Sequence, residues 1–196
     1  MRPDITLYFV RHGETDWNAV GRYQGQSDIP LNDKGRGQAA GNGLALRAHL
    51  PDPHALDFVA SPLSRTRETM ELVRRAMGLP ADAYRTDRRL MEVHYGTWEG
   101  QLWADLPSID PEGVAARKRD TWNWRPVDGE SYADAAIRLG AWLDDVTTDT
   151  VVVAHGGVSR ILRQRVLGID PREVPYLEVP QDKVLVLRAG RAEWLT

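Results

Sequence analysis

The chain has 196 residues, 42% of them hydrophobic and 27% charged, with a net charge of -3 and no cysteine. This is a globular composition, at a length where a chain buries about 70% of its unfolded surface and needs no covalent staples. Disulfides, thiol nucleophiles and cysteine-ligated zinc are excluded, a broad basic face for nucleic acid is not expected, and a reducing cytosol is the compartment such a chain suits. The opening MRPDITLYFV sets Asp4 in a short apolar run without the h-region or cleavage site of an export signal. No run approaches the ~20 apolar residues that span a bilayer, so no membrane association is expected.

Ile5 to Val10 is a β-branched and aromatic run that stops at Arg11-His12-Gly13, the pattern of a buried strand ending in a loop. Asn32 or Asp33 suits the N-cap of a glycine-rich helix reaching about Leu50, with Ala39, Leu44, Ala45 and Ala48 at helical spacing. Asp57 to Ala60 is a second short strand, and Ser61-Pro62 turns it into a helix from about Leu63 to Met77, ended by Gly78 and Pro80. Arg88 to Gly100 is a loop rich in charge and glycine, followed by weaker helical patterns around Ala104, 112–122 and 131–146.

The clearest strand, Thr150 to Ala154, ends on His155-Gly156-Gly157 before an amphipathic helix with Val158, Ile161, Leu162 and Val166 on one side. Val184 to Leu187 is a last strand that Ala192 to Leu195 can pair with across the Gly190 turn. The alternation predicts an α/β fold, in which ligands bind beyond the carboxyl ends of strands. Two such ends carry a histidine followed by glycine, and both point at one crevice. Without repeats or linkers, 1–196 reads as a single domain. Within it 95–126, which holds four of the seven tryptophans, could form a small cap.

Arg11-His12-Gly13-Glu14-Thr15 places an imidazole beside a guanidinium, with a glycine that lets a ligand approach the backbone, a pairing suited to a phosphoryl group. Alone, an R-H-G triplet would end an ordinary strand as readily. Arg65 falls in the first turn of a helix at the same sheet edge, where amides also favour anions, whereas Arg67 reads as solvated. Glu92 lies among apolar and aromatic neighbours, surroundings that favour the neutral acid and suit proton donation, although Glu99 and Glu14 compete on chemistry alone. His155 follows a fully apolar strand and must emerge at its end. A metal site of His12, His155 and Glu92 is chemically conceivable, but the two arginines would repel a cation. Gly35-Arg36-Gly37-Gln38-Ala39-Ala40 matches a dinucleotide-binding string, yet it opens no strand-to-helix turn and is discounted. Arg117-Lys118-Arg119 is a basic run that is usually a solvated helix face but could reach an anionic substrate from the cap.

Four blocks occur together and in order: R-H-G-E-T with Trp17-Asn18 and Gly21-Arg22-Tyr23-Gln24-Gly25, then S-P-L-x-R-x-x-x-T, then L-x-E-x-x-x-G-x-W-E-G, then A-H-G-G. From about Leu7 to Leu167 the chain thus resembles the histidine phosphatase superfamily, also called phosphoglycerate mutase-like. The resemblance implies a three-layer αβα sandwich around a mostly parallel mixed sheet. It implies a phosphohistidine on His12, a phosphate pocket of Arg11, Arg65 and a protonated His155, and Glu92 as proton donor. Asn18, Gln24, Gly25, Tyr95 and Gly156 would line the pocket and bind substrate. Neither metal nor cofactor is expected. The implied partner is a small phosphorylated metabolite, with no nucleic acid or membrane and with a homodimer as an option.

The superfamily divides between phosphatases and mutases, and three features resemble the phosphatase branch. The stretch from Glu92 to His155 is compact, without the insertion that helps mutases exclude water. Gly156-Gly157 stands where mutases usually have Gly-Asn, and Trp98-Glu99-Gly100 and Gly129-Glu130-Ser131 also look more like phosphatases. Glu92 to Tyr95 and the basic run at Arg117 resemble mutases as well. A non-catalytic phospho-ligand binder would have lost one of His12, Arg11, Arg65, Glu92 or His155, and all five are present.

Overall fold

The computed structural model describes residues 2, 4–188 and 190–195. Their elements in chain order are β1 (Thr6–Arg11), α1 (Asp16–Ala19), α2 (Asp33–His49), β2 (Asp57–Ala60), α3 (Ser64–Ala76) and β3 (Arg85–Thr86). These are followed by α4 (Leu106–Ile109), α5 (Pro111–Arg119), α6 (Tyr132–Asp144), β4 (Thr150–Ala154), α7 (Gly156–Leu167), β5 (Val184–Arg188) and β6 (Arg191–Leu195). The strands form one sheet in the order β3-β2-β4-β1-β5-β6. β3, β2, β4 and β1 run parallel, β5 is antiparallel to β1, and β6 is antiparallel to β5.

Alternation along the central strands decides the layering, because successive side chains leave opposite faces of a sheet. Leu7 and Phe9 of β1 and Val152 and Ala154 of β4 pack with Leu139 and Trp142 of α6 and Ile161 and Leu162 of α7. Tyr8, Val10, Val151 and Val153 face the other way, onto Leu46 of α2 and Met70 and Val73 of α3. With both faces covered, β4 can be apolar at every position after Thr150, as a buried parallel strand requires. The architecture is the expected α/β sandwich of three layers.

Sheet register sets the site. Arg11 pairs with Ala154, so β1 and β4 finish side by side and His12 and His155 are the next residues of each. The His12 amide donates to Ala154 O at 2.9 Å, and the Ser61 amide after β2 donates to Val153 O at 3.0 Å. Three adjacent strands therefore deliver His12, His155 and Ser61 to one edge.

Two elements carried no readable pattern. β3 is a two-residue, exposed edge strand, and α1 is a single turn fixed by a capping box between Thr15 and Asn18. The pattern around Ala104 becomes α4 two residues later, and the 112–122 pattern becomes α5, N-capped by Asp110 through the Gly113 amide. Residues 95–126 lie off the sheet, where Tyr23, Trp98 and Leu106 form a separate small core with Tyr95, Val114 and Trp124 packed on it. Among the described residues no helix is long and apolar enough to cross a membrane.

Candidate active site

The loop after β1 is pressed onto the start of α2. A Cβ on Gly13 would lie 2.2 Å from Gly35 O, and one on Gly35 would lie 2.2 Å from Glu14 O, so only glycine at both positions permits this backbone contact. The Gly13 amide donates to Thr69 Oγ1 at 3.1 Å and the Glu14 amide to Gln38 Oε1 at 2.8 Å. The string beginning at Gly35 therefore has a packing role, anchoring the loop that carries His12.

His12 and His155 are 2% and 0% exposed, and their ring centroids lie 5.2 Å apart, edge to face. His12 Nδ1 lies 2.8 Å from Gly13 O, and a carbonyl can only accept. The proton is thereby fixed on Nδ1 and the Nε2 lone pair is left free. Burial, followed by the charges of Arg65 and Arg11, holds His12 well below the usual imidazole range, so the ring is neutral at pH 7. His155 is held low by burial and then by Arg65. Its Nε2 lies 2.8 Å from Ser61 Oγ, and Nδ1 is buried without a partner.

Arg65 is fully buried, and its two terminal nitrogens donate to Ser27 O and Gly25 O at 2.7 Å each. Burial lowers its pKa to about 10, which leaves it charged at pH 7. Arg11 donates to Val179 O at 2.7 Å. Nε of both arginines is buried without a partner, and among the described residues neither forms an ion pair. One buried and one half-buried cation, satisfied only by backbone carbonyls and with buried donors left over, make a receptor for a compact anion. Arg67 is exposed. Among the described residues no three His, Asp or Glu side chains converge in a metal-holding group.

The three competing glutamates separate by what they touch. Glu92 borders the cavity and accepts from the Val93 amide at 2.9 Å and from the Gly157 amide at 3.1 Å to each oxygen. Its surroundings are thus more polar than its neighbours in sequence imply. A Cβ on Gly157 would come within 2.5 Å of Glu92 Oε1, so glycine is what admits this contact. Glu99 instead pins the loop under Arg65, accepting from the amides of Gln26, Ser27 and Tyr95 and from Ser27 Oγ. Glu14 is taken by Asn32 and Lys34. One amide at each of two helix starts is taken by a carboxylate of the chain: the Ser64 amide of α3 goes to Asp28 at 2.8 Å, and the Gly157 amide of α7 goes to Glu92.

His12, Arg11, Arg65, Glu92, Asn18, Gln24, Gly25, Tyr95 and Gly156 all line one cavity of about 130 Å³, with His155 behind His12. Arg22, Tyr23, Trp103, Gly157 and Arg160 also line it. Arg160 had a readable signal, since it lies four residues after Gly156 and shares its helix face. A strap at 177–181 had none. Leu177 O accepts from Arg160, Glu178 O from Arg163 and Val179 O from Arg11, at 2.7–2.9 Å. Gln181 Nε2 donates to His12 O and Asn18 Oδ1 at 3.1 Å, and Gln181 O accepts from Asn42 at 2.9 Å.

Fold and site together define an α/β protein built to hold a phosphoryl group between two arginines against a neutral histidine. Residues 7–196 match the histidine phosphatase superfamily (branch 1), and the chain belongs to that family. It is 33% identical to the glucosyl-3-phosphoglycerate phosphatase of Mycolicibacterium vanbaalenii, over 87% of this chain and 78% of that one. It is 34% identical to a probable phosphoglycerate mutase of Erwinia tasmaniensis, over 97% of this chain and 88% of that one. A mycobacterial glucosyl-3-phosphoglycerate phosphatase solved with VO3 superposes with a TM-score of 0.78 at 31% identity, over 97% of this chain and 96% of that one. The chain is a phosphoric monoester hydrolase of the family that works through a phosphohistidine intermediate.

Proposed function

We propose that this chain hydrolyses a small phosphorylated metabolite with His12 as the nucleophile. The observation that carries the assignment is the His12 tautomer: Nδ1–H is committed to Gly13 O, and Nε2 is an unprotonated nucleophile in a site holding two unpaired arginines. Nε2 attacks phosphorus in line, the N–P bond forms as the P–O bond to the leaving alkoxide breaks, and Glu92 in its acid form protonates that oxygen. Arg11 and Arg65 hold the phosphoryl oxygens, His155 is assigned to the same task through its unpartnered Nδ1, and the fixed donors cost no reorganisation in the transition state.

Water then attacks the phosphohistidine, passing its proton to Glu92 as the N–P electron pair returns to Nε2. The products are the alcohol and inorganic phosphate. Amide donors from Val93 and Gly157 hold the Glu92 carboxyl group in place for both steps. The proton for the first step arrives with the ester, whose second pKa is about 6. Asn18, Gln24, Gly25, Tyr95 and Gly156 are assigned to substrate contact, and 95–126 to a cap over the leaving group.

Initial-rate phosphate release from p-nitrophenyl phosphate and a panel of natural monoesters in EDTA, with 3-phosphoglycerate isomerisation assayed alongside, tests this reading. Release that vanishes in His12→Ala is expected. Isomerisation with negligible phosphate release would replace hydrolysis by transfer to a second hydroxyl.

A further inference from the structure

Beside the phosphate cavity lies a second one of about 250 Å³, lined by Tyr23, Trp98, Trp103, Leu106, Pro107, Val114, Arg117 and Lys118. Tyr23 and Trp103 are walls of both. The Tyr23 ring sits 4.7 Å from Tyr95, 5.6 Å from Trp98 and 5.3 Å from Trp103. Trp98 is 3% exposed and explained by packing, but Trp103 is 62% exposed, a large apolar face left open at the mouth of the site. Arg117 and Lys118 on α5 complete the lining, and among the described residues neither forms an ion pair.

The annex is built rather than incidental. Asp110 accepts from Trp98 Nε1 at 2.8 Å through one oxygen and caps α5 through the other, accepting from the Gly113 amide at 2.8 Å. One carboxylate thus ties the helix that bears the two cations to the floor of the aromatic cluster. An aromatic wall, an apolar floor and uncompensated positive charge are the complement of a ring-bearing acid: the ring stacks, and a carboxylate meets the cations.

We infer that the annex binds the leaving group, and that the substrate is a phosphate monoester whose alcohol carries a planar or sugar ring and a second negative charge. This rests on the phosphatase reading and extends it to the substrate class. Trp103 offers the ring its exposed face, and Arg117 and Lys118 take the charge.

The test compares kcat/KM for phenyl phosphate with that for 3- and 4-carboxyphenyl phosphate, probes that differ only in the carboxylate. The wild type is expected to favour one carboxylated ester. The double variant Arg117→Ala/Lys118→Ala is expected to reduce that preference about fivefold or more through KM, the scale of a partly exposed charge contact. Trp103→Ala is expected to raise KM for both aromatic esters relative to glycerol 3-phosphate. A carboxylate preference that is absent, or that survives the double variant, overturns the proposal. Calorimetric binding of the matching carboxyphenylphosphonates to the same proteins reads the annex without turnover. Phosphonate affinity that depends on Arg117 and Lys118 in a protein releasing no phosphate would sink the hydrolase reading and keep the annex. Affinity indifferent to them in an active enzyme would do the reverse.

Discussion

The two ends of the site are built differently. At the phosphate end, His12, His155 and Arg65 are buried at the meeting of three parallel strands, and the arginines hang from backbone carbonyls. At the leaving-group end, the walls come from short helices and 3-10 turns off the sheet, Trp103 is open, and the cations lie at the end of a nine-residue helix. On the proposed assignment, chemistry common to every phosphate ester sits on the rigid scaffold, and selectivity among alcohols sits on a segment free to vary without disturbing the sheet.

That contrast breaks most visibly at His12. His12→Ala is expected to lower kcat by about 10³-fold or more for every ester alike, because it removes the attacking atom. Arg65→Ala should cost about 10²-fold in kcat/KM, again regardless of the alcohol. Arg65→Lys should not restore it, since one ammonium cannot replace a fork held by both Ser27 O and Gly25 O. Steady-state rates on three unrelated esters check both, and strongly ester-dependent losses would contradict the division.

Gly157→Ala sharpens the comparison, because the methyl would displace Glu92 while leaving the phosphate donors in place. A fall in kcat of about 10- to 100-fold is expected for poor leaving groups, with a smaller loss for p-nitrophenyl phosphate, whose alkoxide needs little proton donation. Equal losses for all leaving groups would show that Glu92 is not the proton donor.

The buried imidazoles make the phosphate end acid-sensitive. Both His12 and His155 have folded-state values well below 6.5, chiefly through burial. Below 6.5 the unfolded chain therefore takes up protons that the folded chain refuses, and stability falls as pH drops from 6.5 towards the folded values. A melting temperature lower by about 5 °C near pH 5 than near pH 7 is expected. His12→Gln should shrink the difference, and an unchanged difference would count against the buried-neutral assignment. The smallest effect belongs to the strap: Gln181→Ala removes two donors behind His12 and Asn18, and a few-fold loss of kcat/KM is expected across all esters.

The phosphate end was largely legible in the sequence because its parts follow strands whose apolar runs leave no alternative. β1 and β4 could be read within a residue, and the histidines had to emerge where they end. The remainder depends on contacts made at long range. Glu92 could not be separated from Glu14 and Glu99 by spacing, and only the fold shows Glu99 beneath the Arg65 loop. The Gly35 string carries the same residues as a nucleotide loop, and what distinguishes it is its contact with Gly13. The 177–181 strap has no pattern at all, because its part in the site is played mainly by backbone carbonyls, which every residue possesses.

The central claim is that His12 carries the phosphoryl group. Alkaline quenching during turnover of p-nitrophenyl phosphate, followed by peptide mass spectrometry, reads this directly, since phosphohistidine survives base. The account predicts one added phosphoryl group on the peptide containing His12, absent from His12→Ala. A phosphorylated residue elsewhere, or undiminished turnover by His12→Ala, would contradict it.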